Sequence, residues 1–209
     1  MSGPDEFALL EAWRAGDAKA GNELLRMQFG PLFRFFRTKV PEDLVGELIQ
    51  QTLLQCVEKQ EQFRGDAQFS TYVYAVARRV AIGHYRKRRV EEVDPGSMSI
   101  ADLADSPSRL LIGAEQDRLL LAGLRSIPFD HQVLLELHYW EKLPGPALAR
   151  VLELPEGTIR TRLRRAKELL RTAVERAATD HRMAPATLDD LAVWAESLRG
   201  HIGRSPPIS

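Results

Sequence analysis

The sequence contains little of what marks several common protein classes. Its only cysteine, Cys56, excludes an internal disulfide bond and fits a reducing compartment such as the cytoplasm. No stretch approaches the roughly 20 consecutive apolar residues that a membrane-spanning helix needs. Residues 1–10 are acidic and lack the basic-then-apolar layout of a signal peptide. We therefore expect a cytoplasmic protein without membrane insertion.

Features of enzymes and metalloproteins are also missing. The five histidines are scattered without the spacing of metal ligands, so we predict no metal site. The sequence has no glycine-rich phosphate loop, nucleophile elbow or metal cluster. Acids such as Asp43 and Glu47 have the helical spacing of ordinary exposed carboxylates. These absences predict a protein that is not an enzyme, has no catalytic residues and needs no cofactor.

A formal net charge of zero conceals a strong segregation of charge along the chain. Residues 78–89 carry six Lys or Arg residues and no acid, and residues 160–171 carry six against one acid. Between these two basic blocks, residues 91–117 hold seven acids and one arginine. Such a separation into blocks indicates a functional organisation rather than a uniform surface.

The pattern of apolar residues predicts an all-α fold. The chain has 209 residues, of which 44% are hydrophobic and 28% charged, as in a soluble globular protein large enough for two small domains. Apolar residues recur at helical intervals, and no strand pattern or internal repeat persists. We predict a helical domain over residues 1–90, an acidic flexible linker over 91–113, a second helical domain over 114–178 and a C-terminal helical extension over 179–209.

Local signals predict several helix boundaries in the first domain. Gly30 and Pro31 indicate a break or a helix start. Pro41 suits the first turn of the next helix. Ser70 or Thr71 can cap the basic helix that follows.

Residues 146–170 have the pattern of a helix-turn-helix. The second helix has one apolar stripe for a domain core, formed by Ile159, Leu163, Ala166 and Leu170. Its opposite side carries Arg160, Thr161, Arg164 and Arg165. Guanidinium groups can bridge phosphates or fork onto guanine, and threonine can contact base edges. This segment predicts a reader of the major groove, although the solvated face of an ordinary helix has the same composition.

The other basic block follows a polar loop and three aromatic residues, Phe69, Tyr72 and Tyr74. Aromatic faces beside cations suit unpaired bases, because stacking needs a flat ring and the nucleic-acid backbone needs counter-charge. The alternative is that Phe63, Phe69 and Tyr72 belong to a domain core, with the cations of residues 86–89 at a solvated helix end that the helix dipole favours. The sequence leaves both interpretations open.

Taken in order, three segments resemble the sigma-70 family of bacterial RNA polymerase initiation factors, in particular its extracytoplasmic-function (ECF) group. Residues 47–55 (ELIQQTLLQ) are similar to the family's polymerase-docking helix, and residues 63–89 (FRGDAQFSTYVYAVARRVAIGHYRKRR) to its promoter-melting segment. Residues 124–170 resemble its upstream-element reader. The resemblance, which covers residues 7–178, implies an ECF sigma factor that binds core RNA polymerase and directs promoter recognition, DNA melting and transcription initiation.

The resemblance implies that the first domain docks on a coiled coil of the polymerase largest subunit, while the flap region is a further contact. The implied docking residues are Glu47, Gln50, Gln51 and Leu54. The family usually has Asp where Glu47 stands and Glu where Gln51 stands, so the docking helix loses one formal charge at Gln51. Leu48 and Leu53 are expected in the core of the domain itself.

The same domain is implied to open the −10 promoter element and to capture a flipped base. The residues assigned to this task are Gly65, Asp66, Ala67, Gln68, Ser70, Tyr72, Arg78, Arg79, Arg86, Lys87 and Arg88. The base pocket would be formed by Gly65, Asp66, Ala67, Gln68 and Ser70, and the cations would contact phosphates. Tyr72 stands where the family commonly has Trp. Arg79 replaces a common Asn, which would either alter the −10 preference or add a phosphate contact.

The second domain is implied to place its basic helix in the major groove of the −35 element. The residues assigned to this contact are Gly157, Thr158, Arg160, Thr161, Arg164 and Arg165. The amide of Gly157 lies near the helix start, where a phosphate is favoured. The family often has Gly at the position of Glu153, and a positive φ there would strain Glu153. The acidic linker would be repelled by DNA and lie in basic channels of the polymerase.

Residues 179–209 lie outside the resemblance. Thr187 followed by Asp190 resembles a capping box. The helix after it would either pack on the preceding domain or regulate the protein by masking a polymerase or DNA surface. A separate anti-sigma factor is the alternative to such autoinhibition, and the sequence leaves this choice open. A rival interpretation is a DNA-binding regulator that uses its helix-turn-helix alone, but it leaves the first basic block without a role.

Overall fold

The computed structural model describes residues 5–59, 63, 68–88, 93–103, 115–178 and 199–200, and these ranges contain helices and turns but no β-strand. The helices are α1 (Glu6–Arg14), α2 (Ala18–Arg37), α3 (Glu42–Glu58), α4 (Phe69–Arg88), α5 (Ile100–Leu103), α6 (Glu115–Ser126), α7 (Phe129–Tyr139), α8 (Gly145–Leu152) and α9 (Ile159–Ala177), and a 3-10 turn at Glu156–Thr158 precedes α9. The predicted all-α fold is confirmed. None of the helices in these ranges combines the length and apolarity that crossing a membrane requires.

Helices α1 to α4 form a first lobe, which we call the N-terminal lobe. Aspartates begin its first two helices. The Asp5 carboxylate accepts a hydrogen bond from the backbone N–H of Phe7 (3.1 Å), and that of Asp17 accepts from Lys19 (2.8 Å). The helices bury a common set of apolar side chains, which includes Leu24, Leu32, Phe36, Leu48, Ile49 and Val76.

Two helix boundaries in this lobe differ from the sequence prediction. Helix α2 continues through Pro31, because the residues that follow the proline bury large side chains such as Phe33 and Phe36, and this burial outweighs the missing backbone hydrogen bond. Helix α4 begins at Phe69, so Ser70 lies in its first turn rather than at its cap. The backbone N–H of Ser70 lies 3.4 Å from the carboxylate of Glu6, which takes the place of a cap within the chain.

Residues 93–103 and helices α6 to α9 form the C-terminal lobe. Helix α6 packs along α9, and the two approach most closely at Gly123, where a Cβ atom would lie 2.6 Å from the side chain of Val174. Pro128 and Pro144 immediately precede α7 and α8. The lobe has its own cluster of buried residues, which includes Leu120, Leu124, Leu135, Ala166 and Leu170.

Residues 93–103 belong to the segment predicted as an irregular linker, yet they fold onto the C-terminal lobe. The Asp94 carboxylate accepts from the Ser97 hydroxyl (2.7 Å), and the Asp102 carboxylate from the Ser99 hydroxyl (2.6 Å). The polar residues typical of a linker are here the turn and cap of α5. Apolar residues of the same segment are buried, namely Val93, Ile100 and Leu103. The remainder of the predicted linker and the predicted extension, except residues 199–200, lie outside the described residues.

The two lobes pack directly on each other. Helix α4 of the N-terminal lobe lies against α8 of the C-terminal lobe, and buried residues of both lobes belong to one continuous apolar cluster. Helix α4 contributes Val73, Val76 and Ala77 to it, and α8 contributes Ala147, Leu148 and Val151. This closed arrangement decides which of the predicted functional side chains reach solvent.

Candidate nucleic-acid interface

Helix α9 presents its predicted DNA-reading face to solvent. The apolar stripe lies inward as predicted: Ile159, Ala166 and Leu170 are buried and Leu163 is half-buried. The residues assigned to the −35 element are all exposed, namely Gly157, Thr158, Arg160, Thr161, Arg164 and Arg165. A helix that buries one stripe and exposes the opposite cations has the shape and charge that a major groove accepts.

The cations of this face have only weak partners within the lobe. Arg164 and Arg165 approach the Glu168 carboxylate at 3.2 and 3.7 Å, and their side chains are 83% and 63% exposed. Ion pairs of this exposure along one helix contribute a few tenths of a kcal/mol each. They can therefore be exchanged for DNA phosphates at little cost.

The turn that precedes α9 contains a strained residue. Glu153 ends α8 in the left-handed conformation, with φ 57° and ψ 44°. The sequence analysis expected strain at Glu153 if φ is positive there, and the structure shows this positive φ. Thr158 donates its hydroxyl to the carbonyl of Pro155 (2.7 Å), so this hydroxyl stabilises the turn while the residue itself stays exposed.

The aromatic residues near the start of α4 divide between core and surface. Phe69 and Tyr74 are 2% and 3% exposed, which supports the core interpretation for Phe69 and places Tyr74 in the core as well. Tyr72 is half-buried, and its ring lies 5.2 Å from that of Phe63. Of the three, Tyr72 alone keeps a face near solvent and remains a stacking candidate. Burial raises the pKa of its phenol, so the ring is neutral at physiological pH.

Several residues assigned to the −10 element lie outside the described part of the chain. These are Gly65, Asp66 and Ala67, together with the side chain of Arg88. Among those described, Gln68, Arg79, Arg86 and Lys87 are exposed and Ser70 is half-buried. Their exposure is compatible with phosphate or base contacts.

Arg78 departs from its predicted role. The sequence assigned it to phosphate contact, but its guanidinium donates two hydrogen bonds to the carboxylate of Asp130 on α7, at 2.8 and 2.9 Å. Both side chains are about 90% buried, with exposures of 9% and 10%. In the closed arrangement Arg78 therefore has a protein carboxylate where the prediction placed a phosphate.

A cleft of about 330 Å³ lies where α4 meets α8. It is lined by Lys59, Phe63, Thr71, Tyr72, Ala75, Arg79, Arg150 and Glu153. Two of these residues, Tyr72 and Arg79, were predicted to contact the −10 element. Arg150 and Glu153 belong to the helix-turn-helix. Arg79 and Glu153 approach to 3.8 Å across the cleft. Tyr72 and Arg79 of the predicted −10 surface are thus bordered on one side by the other lobe.

Two further ion pairs join the lobes, and the sequence analysis did not predict them. Arg34 of α2 donates two hydrogen bonds of 2.8 Å to the Glu141 carboxylate. Burial opposes the charge of Arg34, but the hydrogen bond and charge of Glu141 outweigh it and raise its pKa. The ammonium group of Lys39 pairs with Glu136, and both are almost fully buried. Burial lowers the pKa of Lys39, although Glu136 opposes this effect.

The docking residues assigned on α3 lie on an accessible face. Glu47 and Gln50 are exposed, Gln51 is half-buried and Leu54 is 55% exposed. Leu48 is buried and Leu53 packs against the core, as predicted. The sequence analysis missed Val57, which is 39% exposed and follows Leu54 by three residues. Helical spacing from Leu54 would have found it.

No cluster of residues able to hold a metal ion occurs within the ranges that the structure describes. The buried thiol of Cys56 has its pKa raised to about 12 by burial, so it is unreactive at neutral pH.

Comparison with known families gives one match in each lobe. The family model described as sigma-70 region 2 matches residues 31–91, and that described as sigma-70, region 4 matches residues 117–170. Together the two matches span more than half of the chain. The chain belongs to the sigma-70 family, as its sequence motifs implied.

Individual relatives narrow the assignment. The ECF RNA polymerase sigma-E factor of Haemophilus influenzae is 24% identical over 180 residues, which covers 80% of this chain and 94% of that one. The factor of the same name from Escherichia coli K12 is 24% identical over 177 residues, with coverage of 80% and 93%. Within the sigma-70 family the chain is an ECF sigma factor.

A solved structure shares the fold. The sigma factor RpoE of Bartonella quintana, crystallised in complex with the anti-sigma factor NepR, superposes with a TM-score of 0.51 at 18% identity. The superposition covers 71% of this chain and 93% of that one.

Proposed function

We propose that this chain binds core RNA polymerase in the cytoplasm and directs it to promoters whose −10 and −35 elements its two lobes contact. The observation that carries the proposal is the pair of basic helices: α4 lies within residues 31–91, which match sigma-70 region 2, and the exposed cations of α9 from Arg160 to Arg165 lie within residues 117–170, which match region 4. Promoter recognition, melting and initiation follow from the family to which the chain belongs.

Within this function we assign each lobe a task. Residues 1–90 dock on polymerase and open the −10 element, residues 114–178 read the −35 element, and residues 91–113 connect them. The C-terminal residues 179–209 are proposed as a regulatory extension. The docking role rests on the exposed face of α3 around Leu54, and the −35 role on the solvated cations of α9.

The −35 assignment is the more sharply defined of the two DNA contacts. Arg160 and Arg164 lie one helical turn apart on the exposed side of α9, so both can reach the same groove. Backbone contacts near Gly157 and Thr158 would set the position of the helix, because N–H groups at a helix start favour phosphate.

Run-off transcription with purified core polymerase and a randomised promoter library tests the function. We expect RNA from a subset of templates that share two sequence elements. The variant Arg160→Ala/Arg164→Ala should lose selection at the upstream element, whereas Arg26→Ala/Arg176→Ala, which removes two exposed arginines elsewhere, should not. No product from any template, with residues 180–209 present or deleted, would refute the function.

The docking surface has its own test. Leu54→Ala should weaken binding to core polymerase about tenfold, the size of a moderate hot-spot contribution. Phe29→Ala removes a side chain of similar exposure, 42%, from α2 and serves as the matched control. A conventional DNA-binding regulator would not bind the polymerase stoichiometrically in this assay.

A further inference from the structure

Helix α1, to which the sequence analysis assigned no function, contacts both ends of the segment assigned to the base pocket. The Arg14 guanidinium donates a hydrogen bond to the carbonyl of Phe63 and lies 5.7 Å from the centroid of its ring. The Glu6 carboxylate accepts a hydrogen bond from the backbone N–H of Ser70 (3.4 Å). The positions between Phe63 and Ser70 include the other residues assigned to the pocket, namely Gly65, Asp66, Ala67 and Gln68.

Glu6 also holds the side chain of Ser70, which is itself assigned to the pocket. The Ser70 hydroxyl and the Ser70 backbone N–H both donate to the same oxygen of Glu6, Oε2, at 3.5 and 3.4 Å. A serine hydroxyl can donate one hydrogen bond and accept two. Because its one proton points to Glu6, the Ser70 oxygen can only accept a hydrogen bond from a base.

The other carboxylate oxygen of Glu6 fixes the orientation of this side chain. Nε2 of Gln28 donates to Oε1 at 3.0 Å, and Gln28 is only 2% exposed. A buried amide group needs an acceptor, so Gln28 engages Oε1 and leaves Oε2 for Ser70. Glu6 and Ser70 are both half-buried, so the pair lies at the edge of solvent, where a base can approach.

An acceptor that faces the pocket discriminates between bases. A flipped base is read through the hydrogen-bonding groups on its edge. Adenine and cytosine carry an exocyclic amino group there, which donates, whereas thymine and guanine carry a carbonyl oxygen, which accepts. The Ser70 oxygen bonds to the amino group and repels the carbonyl oxygen.

We propose that Glu6 is a positioning residue for −10 recognition, which orients the Ser70 hydroxyl as an acceptor so that the pocket favours adenine or cytosine over thymine or guanine. The inference rests on the proposed function, in which Ser70 contacts the captured base, and it gives that contact a chemical preference. Glu6 acts through Ser70 rather than on the base.

Glu6→Gln tests this role because an amide reverses the hydrogen bond to Ser70. Gln28 still requires an acceptor, so the introduced carbonyl oxygen faces Gln28 and the introduced NH2 group faces Ser70. The NH2 group donates to the Ser70 oxygen, whose own proton then turns towards the pocket. Glu23→Gln makes the same change at an exposed site on α2 and is the matched control.

Run-off transcription with core polymerase and a promoter library randomised at the −10 element measures the base preference at each position. For the natural sequence we expect one position enriched in adenine or cytosine. Glu6→Gln should lower the ratio of these bases to thymine and guanine there by about fivefold, the weight of one hydrogen bond. Glu23→Gln should leave the ratio unchanged. A Glu6→Gln variant with the natural ratio at every position would overturn the proposal, whatever its total output of RNA.

Ser70→Ala separates this positioning role from a purely structural one. The variant lacks the hydroxyl and should lower the same ratio at the same position. Glu6→Gln added to Ser70→Ala should then change the ratio no further, because both substitutions act through one contact. A further decrease in the double variant would show that Glu6 acts elsewhere and would overturn the proposal.

The same experiment distinguishes this inference from the proposed function. Absence of RNA from every template with the natural sequence would refute the proposed function itself. Selection of a −10 element by the natural sequence that Glu6→Gln leaves intact would refute the role of Glu6 alone.

Discussion

The two basic helices of this molecule carry similar numbers of cations but occupy different surroundings. In α9 the side chain of Arg164 is 83% exposed, and its partner Glu168 lies on the same helix. In α4 the side chain of Arg78 is 9% exposed, and its partner Asp130 belongs to the other lobe. A count of charges therefore cannot distinguish a surface that is ready for DNA from one that a protein partner already holds.

The physical difference lies in the dielectric around each pair. The α9 pairs are solvated and screened, so their contribution to stability is small and their exchange for phosphate is easy. The pairs between the lobes are buried, so removal of one member leaves a charge without compensation in a medium of low polarity. This contrast predicts a graded set of effects, beginning with the most deeply buried pair.

Glu136→Ala should have the largest effect. The ammonium group of Lys39 would keep its hydrogen bonds to the Phe35 carbonyl (2.9 Å) and the Thr38 hydroxyl (3.1 Å) but lose the carboxylate of Glu136. We expect the free energy of unfolding, measured by urea titration, to fall by about 3–5 kcal/mol. Removal of both charges in Lys39→Met/Glu136→Leu should recover most of this loss.

The matched change on the exposed helix is Glu168→Ala. Because both of its arginine partners are more than half exposed, we expect a loss below about 0.5 kcal/mol. Equal losses for Glu136→Ala and Glu168→Ala would show that burial does not separate the two surfaces, and the comparison would fail.

Substitution at Glu153 has the next largest effect and separates backbone strain from charge pairing at the lobe interface. Both Glu153→Gly and Glu153→Ala remove the pair with Arg79, but only glycine also relieves the left-handed conformation at φ 57°. We expect the free energy of unfolding of Glu153→Gly to be about 1 kcal/mol higher than that of Glu153→Ala. An alanine variant as stable as the glycine variant would mean that this position is not strained.

Features formed by residues that are close together in the chain could be predicted from the sequence. The apolar stripe from Ile159 to Leu170 repeats every three or four positions, so helical periodicity alone places it inward. The sequence motifs likewise identified the sigma-70 segments, because docking helix, basic helix and helix-turn-helix each lie within a short stretch. The continuation of α2 through Pro31 was missed, since burial further along the helix outweighs the local signal.

The ion pairs between the lobes could not be predicted from the sequence, because their members lie far apart in the chain. Arg78 and Asp130 are 52 positions apart, and Lys39 and Glu136 are 97 apart. Each of these residues looks like an ordinary solvated charge in its own segment. The packing of the two lobes on each other brings the pairs together, and that packing depends on apolar surfaces from both lobes rather than on any local pattern.

The salt dependence of DNA binding gives a smaller effect on the exposed helix. If Arg164 contacts a phosphate, Arg164→Gln should reduce the slope of log K against log salt concentration by about 0.9 on duplex DNA. Arg26→Gln, at an exposed site on α2, is the control and should leave the slope unchanged. The measurement is a fluorescence titration at several salt concentrations, and identical slopes for the two variants would remove Arg164 from the DNA contact.

The smallest expected effect is a pH dependence of stability that arises from two histidines of α7 close to the cations of α9. Burial, reinforced by Arg162 at His131 and by Lys167 at His138, lowers the pKa of both histidines of α7. The unfolded chain then binds protons more readily than the folded one, so stability is complete above the ordinary histidine pKa of about 6.5 and declines as the pH falls through the lowered values. Urea titrations from about pH 7.5 to about pH 5.5 should show this decline.

The double variant His131→Gln/His138→Gln isolates the histidine contribution, because glutamine carries no proton in this range. Its stability should vary less with pH than that of the natural sequence over the same window. The charges near these histidines come from α9, whereas Asp130, which opposes the effect at His131, is held by Arg78 of the other lobe. A pH dependence that the double substitution leaves intact would place the titrating groups elsewhere, and the cations of α9 would then have no measurable influence on the helix beneath them.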